Sequence, residues 1–356
     1  MRESLPPLVR SHLRRLGCSP LWTLLALGAI LNLASCSDRT ASAPDAPFRV
    51  VFISDTHLIG PQYQCCSETP GVDNASIVRT RERFAVVRDT INAMTPRPDM
   101  VFVLGDVMHA AYHSTDPAYY DQNETAFSVA ADAFAGLEIP VHFVWGNHDY
   151  DIDCGHPELS YPRELSHQLF DHFFATPPYQ VVDHKGWKFI LTNGMLGRSW
   201  DAADPTCNTS FASYGPDQLS WIESQLAEGK PSVVLAHYPV FLSRRNEAPG
   251  TTAPDLWTLL AGSDTLRATF VGHMHRWIDL ATLGTPHEPE WVVAATRYDV
   301  DNFWLVEFDP ASGTFAVLDQ PKGIPFGTCA HTWSYDATPA PVEDEVETGD
   351  CVVGLG

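Results

Sequence analysis

Apolar positions along this chain gather into short runs rich in Val, Ile, Phe and Trp, separated by polar loops and by longer stretches of helical period. The runs are Arg49–Ser54, Met100–Leu104, Val141–Trp145, Trp187–Thr192, Ser232–Ala236, Ala268–Val271, Trp291–Ala295 and Phe303–Phe308. Their shortness and β-rich composition predict strands, because a helix needs a longer periodic stretch to present one apolar face. Helices are predicted over Ser76–Met94, Ala118–Leu137, Glu164–Phe174, Asp217–Ala227 and Pro254–Ala261. In the fourth of these, Leu219, Ile222 and Leu226 share one face. Strands alternating with helices predict an α/β domain with largely parallel strands, here spanning residues 48–320.

The first 35 residues read differently. Arg10, Arg14 and Arg15 precede an apolar run from Leu21 to Leu33, too short to span a bilayer comfortably, so the segment is read as a signal peptide. It ends in Leu33-Ala34-Ser35-Cys36, which resembles the bacterial lipobox. That resemblance implies cleavage before Cys36 and a lipid on the new N-terminal cysteine; an ordinary signal peptide would be cut at another small residue. By analogy with lipoprotein sorting, Ser37 implies the periplasmic face of an outer membrane. Arg14-Arg15 leaves the Sec and Tat routes both open. Residues 36–47 are read as the lipidated cysteine and a polar linker, and residues 321–356 as a Cys-containing tail.

Charge narrows the partners. The chain has 22 Lys+Arg against 44 Asp+Glu, and loss of the leader, with four Arg and one Glu, deepens that surplus. Such a field repels polyanions, so duplex nucleic acid is not an expected partner. Beyond Cys18 and Cys36 lie Cys65, Cys66, Cys154, Cys207, Cys329 and Cys351. No CxxC pair occurs among them, which argues against a zinc ribbon. In an oxidising compartment they predict up to three bridges, with Cys329 and Cys351 expected to staple the tail.

Five of the apolar runs end in chemistry. They lead into Asp55-Thr56-His57, Gly105-Asp106, Gly146-Asn147-His148-Asp149, His237 and Gly272-His273-Met274-His275. Parallel strands of an α/β sheet present such residues at one edge, where ligands bind. Any one of these pieces is weak; the ordered set of hard and borderline metal donors is not.

The order DxH, GD, GNHD, H and GHxH resembles the calcineurin-like metallophosphoesterase superfamily from about Phe48 to Asp319. The resemblance implies a sandwich of two mixed β-sheets flanked by helices and a binuclear centre of divalent or trivalent ions (Fe, Zn or Mn). It assigns Asp55, His57 and His275 to one metal, Asn147, His237 and His273 to the second, and Asp106 as the bridge. His148 would be the catalytic histidine, with Asp149 orienting it. Purple acid phosphatases, a branch of the superfamily, carry GDxxY; here His109 stands where that Tyr would be, so an iron–tyrosinate centre is not expected. His109 and His113 are candidates to line the pocket or to support the ligands by hydrogen bonds, with a surface-loop role the alternative reading for His113.

The implied function is hydrolysis of phosphomonoesters or phosphodiesters, small molecules or lipid head groups, by metal-activated hydroxide. The alternative is a catalytically silent metal-binding or scaffolding protein on the same fold. The intact donor set together with His148 argues against it.

Overall fold

The computed structural model describes residues 46–64, 76–245, 255–275, 278–279, 290–318 and 324–325. The signal segment, Cys36, the vicinal Cys65-Cys66, Trp277 and both tail cysteines lie outside these residues. Among the described residues no helix is long and apolar enough to cross a membrane.

Strand β1 (Phe48–Ile53) pairs in parallel with β2 (Met100–Leu104), and β2 with β3 (Val141–Val144). On its other side β1 meets β10 (Phe303–Asp309) antiparallel, and β11 (Thr314–Val317) closes that edge. The second sheet has a parallel centre of β5 (Trp187–Leu191), β6 (Ser232–Leu235) and β7 (Leu266–Val271). Antiparallel β4 (Gln180–His184) flanks β5. Short β8 (Ile278–Asp279), β9 (Glu290–Val292) and β12 (Ile324–Pro325) extend the other side. Both sheets are therefore mixed.

Alternation along β1 explains the layering. Val50 and Phe52 face the other sheet, in a core with Phe102, Phe189, Leu235, Phe270 and Trp304. Val51 and Ile53 face the helical side, packed with Phe84, Val87 and Phe127. A strand buried on both faces reads as a continuous apolar run, as these do. Across the sandwich the Phe52 and Phe270 rings stack at 4.1 Å and 4°. The helices α1 (Thr80–Ala93), α2 (Ala118–Gln122), α3 (Ala126–Ala135), α4 (Arg163–Phe174), α5 (Pro216–Leu226) and α6 (Leu256–Ala261) supply the flanking layers. The face of Leu219, Ile222 and Leu226 on α5 is buried as its period requires.

Two sequence expectations change. The single helix over Ala118–Leu137 is two, because the chain turns at Asn123 and restarts where Ser128 Oγ accepts the Thr125 amide at 2.9 Å. The half-exposed edge strands β4 and β11 lie outside the predicted runs: β4 carries polar Gln180, Asp183 and His184, and β11 has only four residues. Strand β12 pairs in parallel with β8. Among the described residues a disulfide joins Cys154 to Cys207, and Trp145 is a core residue stacked 3.6 Å from Phe170.

Candidate metal centre

Because β1, β2 and β3 run parallel, as do β5, β6 and β7, the donor-bearing loops leave corresponding ends of their strands. Beyond the strands these loops stay linked by backbone hydrogen bonds. Asp55 N–H donates to Gly105 O (3.0 Å), His57 N–H to Asp106 O (2.9 Å) and Gly272 N–H to His237 O (2.9 Å). Five of the seven expected donors occupy left-handed backbone: Asp55 (φ 53°), His57 (47°), Asp106 (49°), His273 (68°) and His275 (56°). Each such residue costs on the order of 1 kcal/mol or more, and strain of this kind clusters where function demands a fixed geometry. Gly105 (φ 92°) and Gly146 complete the cradle. A Cβ on Gly105 would lie 2.5 Å from the His237 ring, and one on Gly146 2.3 Å from Asp106.

All seven expected donors converge. Asp55 Oδ1 lies 3.3 Å from His275 Nε2 and 4.0 Å from His57 Nε2, and the two imidazole Nε2 atoms are 3.2 Å apart. Asn147 Oδ1 accepts from His237 Nε2 (2.9 Å) and faces His273 Nδ1 (3.0 Å). Between these sets stands Asp106, whose Oδ2 is 3.7 Å from His57 Nε2 and 3.3 Å from His237 Nε2. Its other oxygen accepts the His148 amide at 2.8 Å.

A cation fits this arrangement. Asp55 Oδ1 is buried with no hydrogen-bond partner, a costly state unless a positive charge sits against it. The separations of about 3–4 Å are what donors show when each lies about 2.0–2.2 Å from a common ion. Electrostatics agree. Burial holds the His57 ring well below its ordinary pKa, so it is neutral and has a lone pair to give. Burial, and then the His237 charge, take His273 down to about 3. Burial alone would lower His237 too, but Asp106 outweighs it and pushes that ring up to about 9. Asp106 itself, though desolvated, is held well below the usual carboxylate range by His237 and His148. His237 Nδ1 faces Leu104 O at 2.8 Å, which directs Nε2 at the donors.

The His148 ring lies among these groups, 4.9 Å from the His57 ring and stacked 4.6 Å from His109. Asp149 does not orient it. Its carboxylate instead accepts the Gly146 amide (2.8 Å) and the Met108 amide (3.0 Å), tying the β3 turn to the β2 loop. In the tight turn Asn147–Asp149, successive side chains point about 120° apart, so neighbours in sequence do not meet. Burial and the Asp106 charge push the Asp149 carboxyl up to about 8. His109 is a supporting residue: its Nδ1 lies 3.3 Å from His57 Nδ1, and Tyr63 packs edge-on against it. His113 is placed on the adjoining loop, where its backbone N–H donates to Tyr120 Oη.

The sequence match decides the family: the pattern of calcineurin-like phosphoesterases covers residues 48–277. The chain belongs to that family. It is accordingly a metal-dependent phosphoester hydrolase. A cAMP/cGMP dual specificity phosphodiesterase of Mycobacterium tuberculosis is 25% identical over 268 residues, covering 74% of this chain and 72% of that protein. A protein of Rhodopseudomonas palustris named "Probable cyclic nucleotide phosphodiesterase" is 24% identical over 248 residues, covering 67% of this chain and 75% of that one. Among solved structures, a dimetal phosphatase from Danio rerio aligns with TM-score 0.48 and 15% identity over 74% of this chain and 93% of its own. In this calcineurin-like phosphoesterase, five of the eight described non-Gly residues with positive φ, and the Asp55 Oδ1 atom that accepts no hydrogen bond, lie at the donor-bearing edge.

Proposed function

We propose that this calcineurin-like phosphoesterase is an exported phosphodiesterase with two metal ions, one held by Asp55, His57 and His275 and one by Asn147, His237 and His273. Asp106 is shared. The observation that carries this reading is the position of Asp106 Oδ2, 3.7 Å from His57 Nε2 and 3.3 Å from His237 Nε2, a corner common to both donor sets. A shared carboxylate offsets repulsion between two cations held close together. When bound, the ions (Fe, Zn or Mn by donor chemistry) supply Lewis-acid stabilisation of the phosphoryl oxygens and acidify water.

The chain's own residues position and move a proton. His148 belongs to neither donor set, yet its half-buried ring is beside His57, so it can deliver a proton to the departing ester oxygen. Its amide steers Asp106 by engaging Oδ1, and Asp149 fixes the turn that carries both. Diesters are favoured over monoesters by the names of the two relatives. Lipid head groups are a second diester class that a membrane-anchored enzyme would meet. The test is elemental analysis of the purified protein, with turnover measured on bis-p-nitrophenyl phosphate, p-nitrophenyl phosphate and cyclic AMP. Two metals per chain and faster diester cleavage are expected. One metal per chain, or cleavage of the monoester alone, overturns the reading.

Export and lipidation at Cys36, with residence at the cell envelope, belong to the same proposal. The Cys154–Cys207 bridge supports an oxidising compartment. Mass spectrometry of the mature N-terminal peptide should find an acylated Cys36; an intact leader overturns this part.

A further inference from the structure

With Asp149 turned away, something else must aim the His148 ring. Among the described residues that ring touches the rings of His57 and His109 and makes no hydrogen bond. Its direction is therefore inherited from the backbone of the turn that carries it. That backbone is pinned unit by unit. The His148 amide donates to Asp106 Oδ1 (2.8 Å), the Asp149 amide to Gly146 O (3.2 Å) and the Tyr150 amide to Asn147 O (3.4 Å). The last carbonyl of the turn, that of Asp149, accepts from Tyr112 Oη at 2.7 Å.

Tyr112 is well built for that tie. It lies in the loop that follows β2, is only 7% exposed, and packs its ring against those of Phe127 (5.5 Å) and Tyr161 (5.2 Å). A phenol has one proton and a carbonyl only accepts, so the proton goes to Asp149 O. The Ser166 hydroxyl on α4, 2.7 Å away, then donates to the Tyr112 oxygen. Burial pushes the phenol well above its ordinary pKa, so the donor keeps its proton. The strap joins two parts of the hydrolytic centre: the loop that bears the phenol bears Asp106, and the turn it holds bears Asn147 and His148. From the other side the turn is held through Tyr150, whose Oη accepts from Asn193 Nδ2 at 2.7 Å. A small shift of this turn would displace an imidazole that has no polar restraint of its own.

We infer that Tyr112 is a positioning residue for His148, its phenol locking the turn so that the imidazole meets the departing ester oxygen. The inference rests on the reading of His148 as proton donor, and its test separates the two. In the full-length, metal-loaded protein, kcat and KM are measured for the phenyl and p-nitrophenyl esters of methyl phosphate and of phosphate itself. Within each pair the esters differ in how much the leaving oxygen needs a proton. Tyr112→Phe removes one oxygen and leaves the ring packed. It lowers kcat on the phenyl ester by about tenfold, and on the p-nitrophenyl ester by less than about threefold. KM stays within about twofold, and metal content is unchanged. In a His148→Ala background the same substitution alters the phenyl-ester rate by less than about twofold, because no ring is left to position. A phenol that serves the fold alone behaves otherwise: it costs both esters equally, or its loss persists without His148. Either pattern overturns the inference, as does undiminished phenyl-ester turnover in Tyr112→Phe. Failure of the His148 reading is seen separately, as a His148→Ala enzyme that slows both esters alike or neither, and the role of Tyr112 falls with it.

Discussion

The two donor sets on either side of Asp106 are built on opposite principles. On the Asn147 side, one amide oxygen faces two imidazoles at 2.9 and 3.0 Å, and the far nitrogen of His237 reaches Leu104 O at 2.8 Å. Those donors largely satisfy one another with no cation present. On the Asp55 side, a buried carboxylate oxygen has no partner and two Nε2 atoms converge to 3.2 Å. There the desolvation cost is offset only by a positive charge. A metal ion should therefore contribute more stability to the Asp55 side, while the Asn147 side holds its shape unaided and Asp106 couples the two.

The severest way to break this comparison is to remove the coupling. Asp106→Ala is expected to lower kcat/KM by about a thousandfold or more, roughly 4 kcal/mol, and to empty both sides in elemental analysis. Retention of both metals and of activity would mean the two sets are independent. His148→Ala tests the group that belongs to neither set: metal content stays, and turnover falls about a hundredfold or more. The contrast itself is sharpened by a pair of variants with opposite signs in the metal-free protein. Asp55→Asn removes a buried carboxylate whose Oδ1 accepts no hydrogen bond and should raise the melting temperature by a few degrees, about 1–2 kcal/mol. Asn147→Ala strips the acceptor from two imidazoles and should lower it by a similar amount. Equal signs in differential scanning calorimetry would erase the distinction.

The smallest effect is a pH dependence. In the metal-free protein His237 sits at about 9 against an ordinary 6.5, and Asp149 at about 8 against 3.8. Both folded-state values are raised, so each group stabilises the fold at low pH and loses that contribution as pH climbs through the folded value. Denaturant melts of metal-free protein should weaken from about pH 4 to 8 through Asp149 and from about pH 6.5 to 9 through His237. A metal must displace the His237 proton, so apparent metal affinity should rise over the same window. A metal-free protein that gains stability across that window would contradict the His237–Asp106 pairing.

Much of this was legible from residue order. The donors follow directly on apolar runs, so predicting the strands placed Asp55, Asp106, Asn147, His237 and His273 at strand ends. Where side chains go within a turn was less legible. His148 and Asp149 are adjacent in sequence and invite pairing, yet the turn after β3 sends the carboxylate back to the Gly146 and Met108 amides. Left-handed backbone at five donors leaves no trace either, since Asp and His adopt it only when tertiary structure insists. Ala212 meets Leu242, thirty positions on, through a ladder that no periodicity announces.

The ladder beyond β1 and β2 sets where such an enzyme can diversify. Leu58 N–H donates to Val107 O and His109 N–H to Leu58 O, so the paired backbone runs on past the last donor of each loop before the chains part. Residues added after Leu58 leave Asp55 and His57 in register, whereas a single residue added before His57 would shift the pairing of both loops. Selection can thus rebuild the mouth of the centre freely while the catalytic floor stays locked to the sheet.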